Sequence, residues 1–129
     1  MYTIQKTEFG LHVVFDGFLQ RNEMEKWKAE VESTINGRRN EFGAMVDLRG
    51  AKAFPADAQE VLFDAIRKLR ERGLGRQSVI VASPIIKIQA TRMAKHLGMY
   101  EVVRFLDSSS IENWEQVGID WAAHGIDPD

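Results

Sequence analysis

A chain of 129 residues, 44% hydrophobic and 28% charged, has the size and composition of one folded domain and is neither disordered nor membrane-spanning. A net charge of −2 disfavours a dominant nucleic-acid-binding role, and the absence of cysteine excludes disulfides, thiolate nucleophiles and Cys-ligated zinc. No apolar run approaches the roughly 18 residues of a membrane span, and Met1–Gly10 has no apolar core of signal-peptide type, so a soluble, cytoplasmic protein is expected.

The first elements read as a β-hairpin or two adjacent strands. Tyr2–Thr7 alternates polar and apolar residues, Gly10 interrupts, and Leu11–Phe15 is a short run rich in β-formers that Gly17 breaks. Asn22, with Glu25 three residues on, predicts a helix N-cap; Met24, Trp27, Val31 and Ile35 then follow at helical spacing, and Asn36-Gly37 closes the helix. Arg38–Glu41 is a polar connection. Ala44–Leu48 is apolar and short, as a strand covered on both faces would be.

A second helix opens around Pro55 with Asp57 in its first turn. Its apolar stripe is Ala58, Val61, Leu62, Ala65, Ile66 and Leu69, and Asp64 and Lys68 form an i, i+4 pair on the exposed side. Gly73 and Gly75 end it. Ser78–Ala82 is a buried strand, and Ser83-Pro84 starts a third helix that Gly98 stops. Tyr100–Leu106 is a strand. Ser109 with Glu112 predicts a capping box for a last helix, whose buried face carries Ile111, Trp114, Val117 and Trp121. The expected architecture is therefore α/β: a mixed sheet of five strands flanked by helices, in the order ββαβαβαβα, forming a single domain over 1–129.

Catalytic motifs are missing from this pattern. His12, His96 and His124 are far apart in sequence and none has metal-ligand spacing, so no metal or cofactor is expected. Gly73-Leu74-Gly75 follows a helix instead of preceding one, the wrong context for cradling phosphates. Asp107-Ser108-Ser109-Ser110 reads as a turn and a cap. Asp47, closing a strand, and Asp57, opening a helix, are the one carboxylate pair that the order of elements brings toward one edge of the sheet. Each is also explained structurally, Asp47 by organising a turn and Asp57 by the helix dipole. No enzyme activity is expected.

The run Val46-Asp47-Leu48-Arg49-Gly50, followed by a helix, then Ser83-Pro84-Ile85-Ile86-Lys87, Gly98-Met99-Tyr100 and Val103-Arg104-Phe105, resembles the STAS domain. That family includes bacterial anti-sigma-factor antagonists and the cytoplasmic tails of anion transporters. The resemblance covers Met1 to Trp121. The Asp-Leu-Arg-Gly ending is also similar to a STAS-like bacterial family related in fold to lipid-transfer domains of the CRAL-TRIO type. Counted from Asp47 without gaps, the family's Asp-Ser-Ser-Gly falls on Pro55-Ala56-Asp57-Ala58, and its switch serine on Asp57. A phosphate adds close to two charges beside a helix start; Asp57 either mimics that modified state or marks a chain without the switch.

The resemblance implies a non-catalytic regulatory module that binds another protein, a signalling regulator among the candidates. The surface expected to carry this is Ala51 to Glu60: Ala51, Ala53 and Phe54 for apolar contact, Lys52, Asp57 and Glu60 for charge, with Asp47 at the preceding strand end. The alternative is a carrier of a small apolar or lipid ligand, with Ile85, Ile86, Ile88, Met93 and Met99 lining a pocket. Trp27, Trp114 and Trp121 either bury against the sheet or form a homodimer contact.

Overall fold

The computed structural model describes residues 1–38 and 40–129. The expected polar connection Arg38–Glu41 contains Arg39, which lies outside the described residues. The sheet has five strands: β1 Tyr2–Lys6, β2 Gly10–Gly17, β3 Phe42–Ala51, β4 Leu74–Val81 and β5 Val103–Asp107. Their order in space is their order in the chain. β1 and β2 are antiparallel and the remaining pairs parallel. The helices are α1 Arg21–Thr34, α2 Ala56–Glu71, α3 Pro84–His96 and α4 Trp114–His124. The expected fold class is the observed one.

Adding each parallel strand on the same side, through crossovers of one hand, places all three connecting helices on one face. The alternation along the strands reports it. Leu11, Val13 and Phe15 of β2, Ala44, Val46 and Leu48 of β3, and Val79 and Val81 of β4 point into the larger core under α1–α3. Met45, Ile80 and Leu106 point the other way, into a smaller core covered by α4 with Trp114 and Val117. Two glycines let α4 lie close to the sheet. A Cβ on Gly43 would stand 2.3 Å from the Ala122 carbonyl, and one on Gly118 would stand 2.9 Å from Met45 Sδ. Ser78 Oγ donates to the Gly118 carbonyl at 2.7 Å, so the buried hydroxyl of β4 has its partner.

Several boundaries differ from expectation, each for a tertiary reason. α1 begins at Arg21, with Gln20 as N-cap; Asn22 is already helical, and its Oδ1 accepts from the Glu23 N–H instead of capping. β3 runs on to Ala51, because β2 continues past an irregularity after Val14 and pairs Asp16 with Gly50 and Gly17 with Ala51. β4 starts at Leu74, so Gly75 lies within the strand, and Tyr100–Val102 forms a 3-10 turn ahead of β5. α4 starts at Trp114. Ser109 donates its N–H and its hydroxyl to Asp107 Oδ1 instead of capping that helix, and holds the Asp107 carboxyl below the usual carboxylate range. Trp27 and Trp121 are buried, and Trp114 is half-buried. Among the described residues no helix is long and apolar enough to cross a membrane.

Candidate docking site

The loop Lys52–Pro55 joins the C-terminal end of β3 to α2, at the edge of the sheet where β4 also hands over to α3. In open α/β sheets this is the edge where ligands and partners bind. The loop is held from three sides. The Lys52 N–H donates to the Gly17 carbonyl at 2.9 Å. Gln89 of α3 pairs with the Phe54 backbone, its Oε1 accepting from the N–H and its Nε2 donating to the carbonyl, both at 3.0 Å. Gln59 Nε2 of α2 donates to the same carbonyl at 2.8 Å. One backbone unit thus ties loop, α2 and α3 together.

The side chain of Phe54 completes the anchor. It is 4% exposed and packs edge-on against Phe15 with ring centroids 5.6 Å apart. The expectation that Phe54 and Ala51 offer apolar contact to a partner is therefore corrected: both are core residues. Burial of the ring is what fixes the loop, and the residues left at its surface are Lys52 and Ala53.

Asp57 and Glu60 are exposed on α2, Asp57 in its first turn. Glu60 pairs with Arg21 of α1 at 3.5 Å. Asp47 is elsewhere. Its side chain points to the opposite face of the sheet, buried, where Arg49 grips it with Nε at 3.1 Å from both oxygens and one terminal nitrogen at 2.9 Å. The Arg49 N–H donates to the same carboxylate at 3.0 Å, and the guanidinium lies 4.1 Å over the Trp114 ring. The Asp47 carboxylate holds the Arg49 guanidinium above its ordinary pKa. Asp47 and Asp57 thus occupy opposite faces and do not form a carboxylate pair. Asp47 instead pins the start of α4.

Five site residues were expected from sequence. The structure leaves Lys52 and Asp57 at the loop and helix start, pairs Glu60 with Arg21 across the α1–α2 seam, moves Phe54 into the core and moves Asp47 to the other face. Two residues that sequence reasoning assigned to a pocket belong to the surface: Ile85 is 70% exposed and Ile88 55%. Both lie on α3, whose Gln89 holds the loop. Ile86, Met93 and Met99 are buried as expected. The signal for this division was present, since Ile86, Ala90, Met93 and Ala94 already form a complete helical stripe without Ile85 and Ile88.

α1 and α2 pack closely, whereas α2 and α3 meet at fewer points. Lys28 pairs with Asp64 across the first seam, and Lys68 with Glu32 at 3.9 Å and Asp64 at 3.6 Å. Lys28 and Asp64 shift each other mutually, the lysine upward and the carboxyl downward, through their hydrogen bond. The second seam is bridged by Phe63 on His96, centroids 4.6 Å apart, and by Arg70 donating to the Leu97 carbonyl at 2.9 Å. Beneath the helices lies an apolar cavity of about 80 Å³, lined by Trp27, Val31, Leu62, Ile66, Met93 and Leu97 among others.

No family model matches the chain, and no curated protein matches it. Solved structures do. An uncharacterised protein of the DUF3478 family from Shewanella loihica PV-4, described as having a SpoIIAA-like fold, superposes with a TM-score of 0.65 at 19% identity, covering 95% of this chain and 92% of that one. The NMR structure of the protein TM1081 gives a TM-score of 0.58 at 12% identity, covering 90% of each chain. The fold is SpoIIAA-like, the STAS-type architecture.

Proposed function

We propose that this chain is a non-catalytic regulatory module that binds another protein at the edge formed by the Lys52–Pro55 loop and the first turns of α2 and α3. The observation that carries the reading is the clamp on the Phe54 backbone by Gln89 and Gln59. It fixes in advance the surface that displays Lys52, Ala53, Asp57 and Ile85, and a surface ordered before binding loses less entropy on association. Asp57 supplies one fixed negative charge at a helix start, the place where the resembled antagonists carry their switch serine. In this reading Asp57 keeps the surface permanently in its charged form.

Affinity capture from the cell that expresses the protein tests this. Wild-type bait is compared with Asp57→Asn, Lys52→Glu and Ile85→Ser, using quantitative mass spectrometry. A protein retained by the wild type and lost with Ile85→Ser or Asp57→Asn supports the module. Retention unchanged across all variants sinks it.

The apolar cavity favours a second reading, carriage of a small apolar ligand. Its volume of about 80 Å³ decides how far that goes. A dry apolar cavity of ~150 Å³ is what admits benzene, so a lipid chain requires this cavity to widen. Native mass spectrometry of freshly purified protein discriminates, because a carrier retains added mass and a docking module does not.

A further inference from the structure

α3 is unusual in its charge. Pro84–His96 carries Lys87, Arg92, Lys95 and His96 and no acidic residue. On its neighbour α2 the charges are sorted by flank. Asp64, Lys68 and Glu60 face α1, where they find partners. Phe63 and Arg67 face α3, Arg67 lying 5.9 Å over the Phe63 ring. Neither Arg67 nor Arg92 has a carboxylate within ion-pair distance among the described residues. The half-buried Phe63 and the exposed His96 stack across the seam between the two helices. Arg67 lies beside this stack, Arg92 stands one helical turn before His96 on α3, and Ile85 and Ile88 lie at the N-terminal end of α3, nearest the loop.

We infer that the partner docks an acidic, amphipathic helix along this α2–α3 seam, with apolar residues against Phe63, Ile85 and Ile88 and carboxylates facing Arg67 and Arg92. The inference rests on the partner-binding reading and names the chemistry of the partner. Each half of the occupant answers one observation. The cations have no internal counter-charge, and carboxylates supply it. The isoleucines, spaced i, i+3 on one helix, need aliphatic surface, which nucleic-acid phosphates do not offer. Two helices lying side by side offer a seam along which a third packs.

The test uses the full chain in the cell that expresses it. A photoreactive benzophenone amino acid replaces Ile88 in one strain and Lys52 in another. The expected result is an adduct at position 88 whose cross-linked peptide is net acidic, with apolar residues at helical spacing. The same segment, made as a synthetic peptide, then binds the purified protein and loses about tenfold or more in affinity with Arg67→Glu/Arg92→Glu. If that variant fails to keep the wild-type melting curve, Arg67→Gln/Arg92→Gln takes its place, with the same direction expected. An adduct at 88 with lipid, nucleic acid or a basic segment overturns the inference, and so does peptide affinity indifferent to the arginine changes. An adduct at position 52 with none at 88 overturns the inference and leaves the partner-binding reading standing. Adducts at neither position remove both.

Discussion

Where α1 meets α2, cations and carboxylates alternate across the seam: Lys28 with Asp64, Lys68 with Glu32, Arg21 with Glu60. Where α2 meets α3, the bridges are a Phe63–His96 stack and one arginine on a backbone carbonyl. The same helix therefore has one flank whose charges are satisfied inside the molecule and one whose charges are not. Exposed ion pairs contribute little stability, typically below ~1 kcal/mol. What the first seam gains is neutrality, which leaves it nothing to offer a charged partner. The second seam keeps its positive potential, and keeps Ile85 and Ile88 uncovered beside it.

The contrast is most directly broken at its anchor. Phe54→Ala removes the buried ring that holds the loop between the two seams and is expected to cost about 3–5 kcal/mol, as large-to-small aromatic changes do; urea denaturation measures it. Ile85→Ala, on the open side, stays within about 0.5 kcal/mol of wild type. A loss of several kcal/mol at Ile85 would place that residue in the core and end its role as a surface contact. Next in size, Gln89→Ala leaves the Phe54 N–H without its partner and is expected to cost about 1–3 kcal/mol, read as faster hydrogen exchange of the Phe54 amide. Exchange no faster than in the wild type would show that the loop is held without this clamp.

The closed seam is sharpened by pH. The folded-state pKa of Asp64 is lowered by Lys28, so its contribution is fully present above the unfolded value of about 3.9 and is lost as pH falls through the folded value. That of Lys28 is raised, so its contribution is present below about 10.4 and lost as pH rises through the folded value. Lys28→Met therefore lowers stability between those limits, by an amount that shrinks in high salt, and the difference from wild type closes on acidification. A difference that persists at pH 2 would assign the effect to packing of the lysine stem. The smallest expected effect is on the open side. Arg67→Gln and Arg92→Gln change stability by less than about 0.5 kcal/mol each, because neither has an ion pair to lose. Thermal melts check this, and a clear loss would reveal an internal role for these cations.

How much of this the chain displayed in advance follows from the range of the contacts involved. The stripe Ala58, Val61, Leu62, Ala65, Ile66 and Leu69 repeats within a single helix, and it is buried as read except for Ile66, which packs half-buried against the same core. The order of strands and helices is equally local, and the STAS-type resemblance agrees with the SpoIIAA-like fold found by comparison. The site was less legible because its determinants lie far apart in sequence. Phe54 is buried by Phe15 and fixed by Gln89, 35 residues later. Asp47 is gripped by Arg49 two residues on, and that guanidinium also lies over Trp114 of α4, 65 residues further along. The extra length of β3 depends on β2 continuing beyond its irregularity. Apart from Asp47 and Arg49, which share one face of β3, none of these partners shares a periodicity with the residue it governs. The unpaired charge of α3 was local and readable; its meaning required knowing which flank of α2 stood opposite.

The strand order β1-β2-β3-β4-β5 has a kinetic consequence. Each strand pairs with its immediate predecessor in the chain, so no strand pairing spans more than the 34 residues from Gly17 to Ala51, and the sheet can grow by successive addition. The last helix is the exception. Gly118 takes its hydrogen bond from Ser78, 40 residues back, and packs on Met45, further back still. Docking of α4 is thus the step with the longest closure and is expected late, after the other face has formed. Gly118→Ala, which crowds that docking, should then speed unfolding while leaving the refolding rate nearly unchanged in stopped-flow measurements; slowed refolding would place α4 in the nucleus instead.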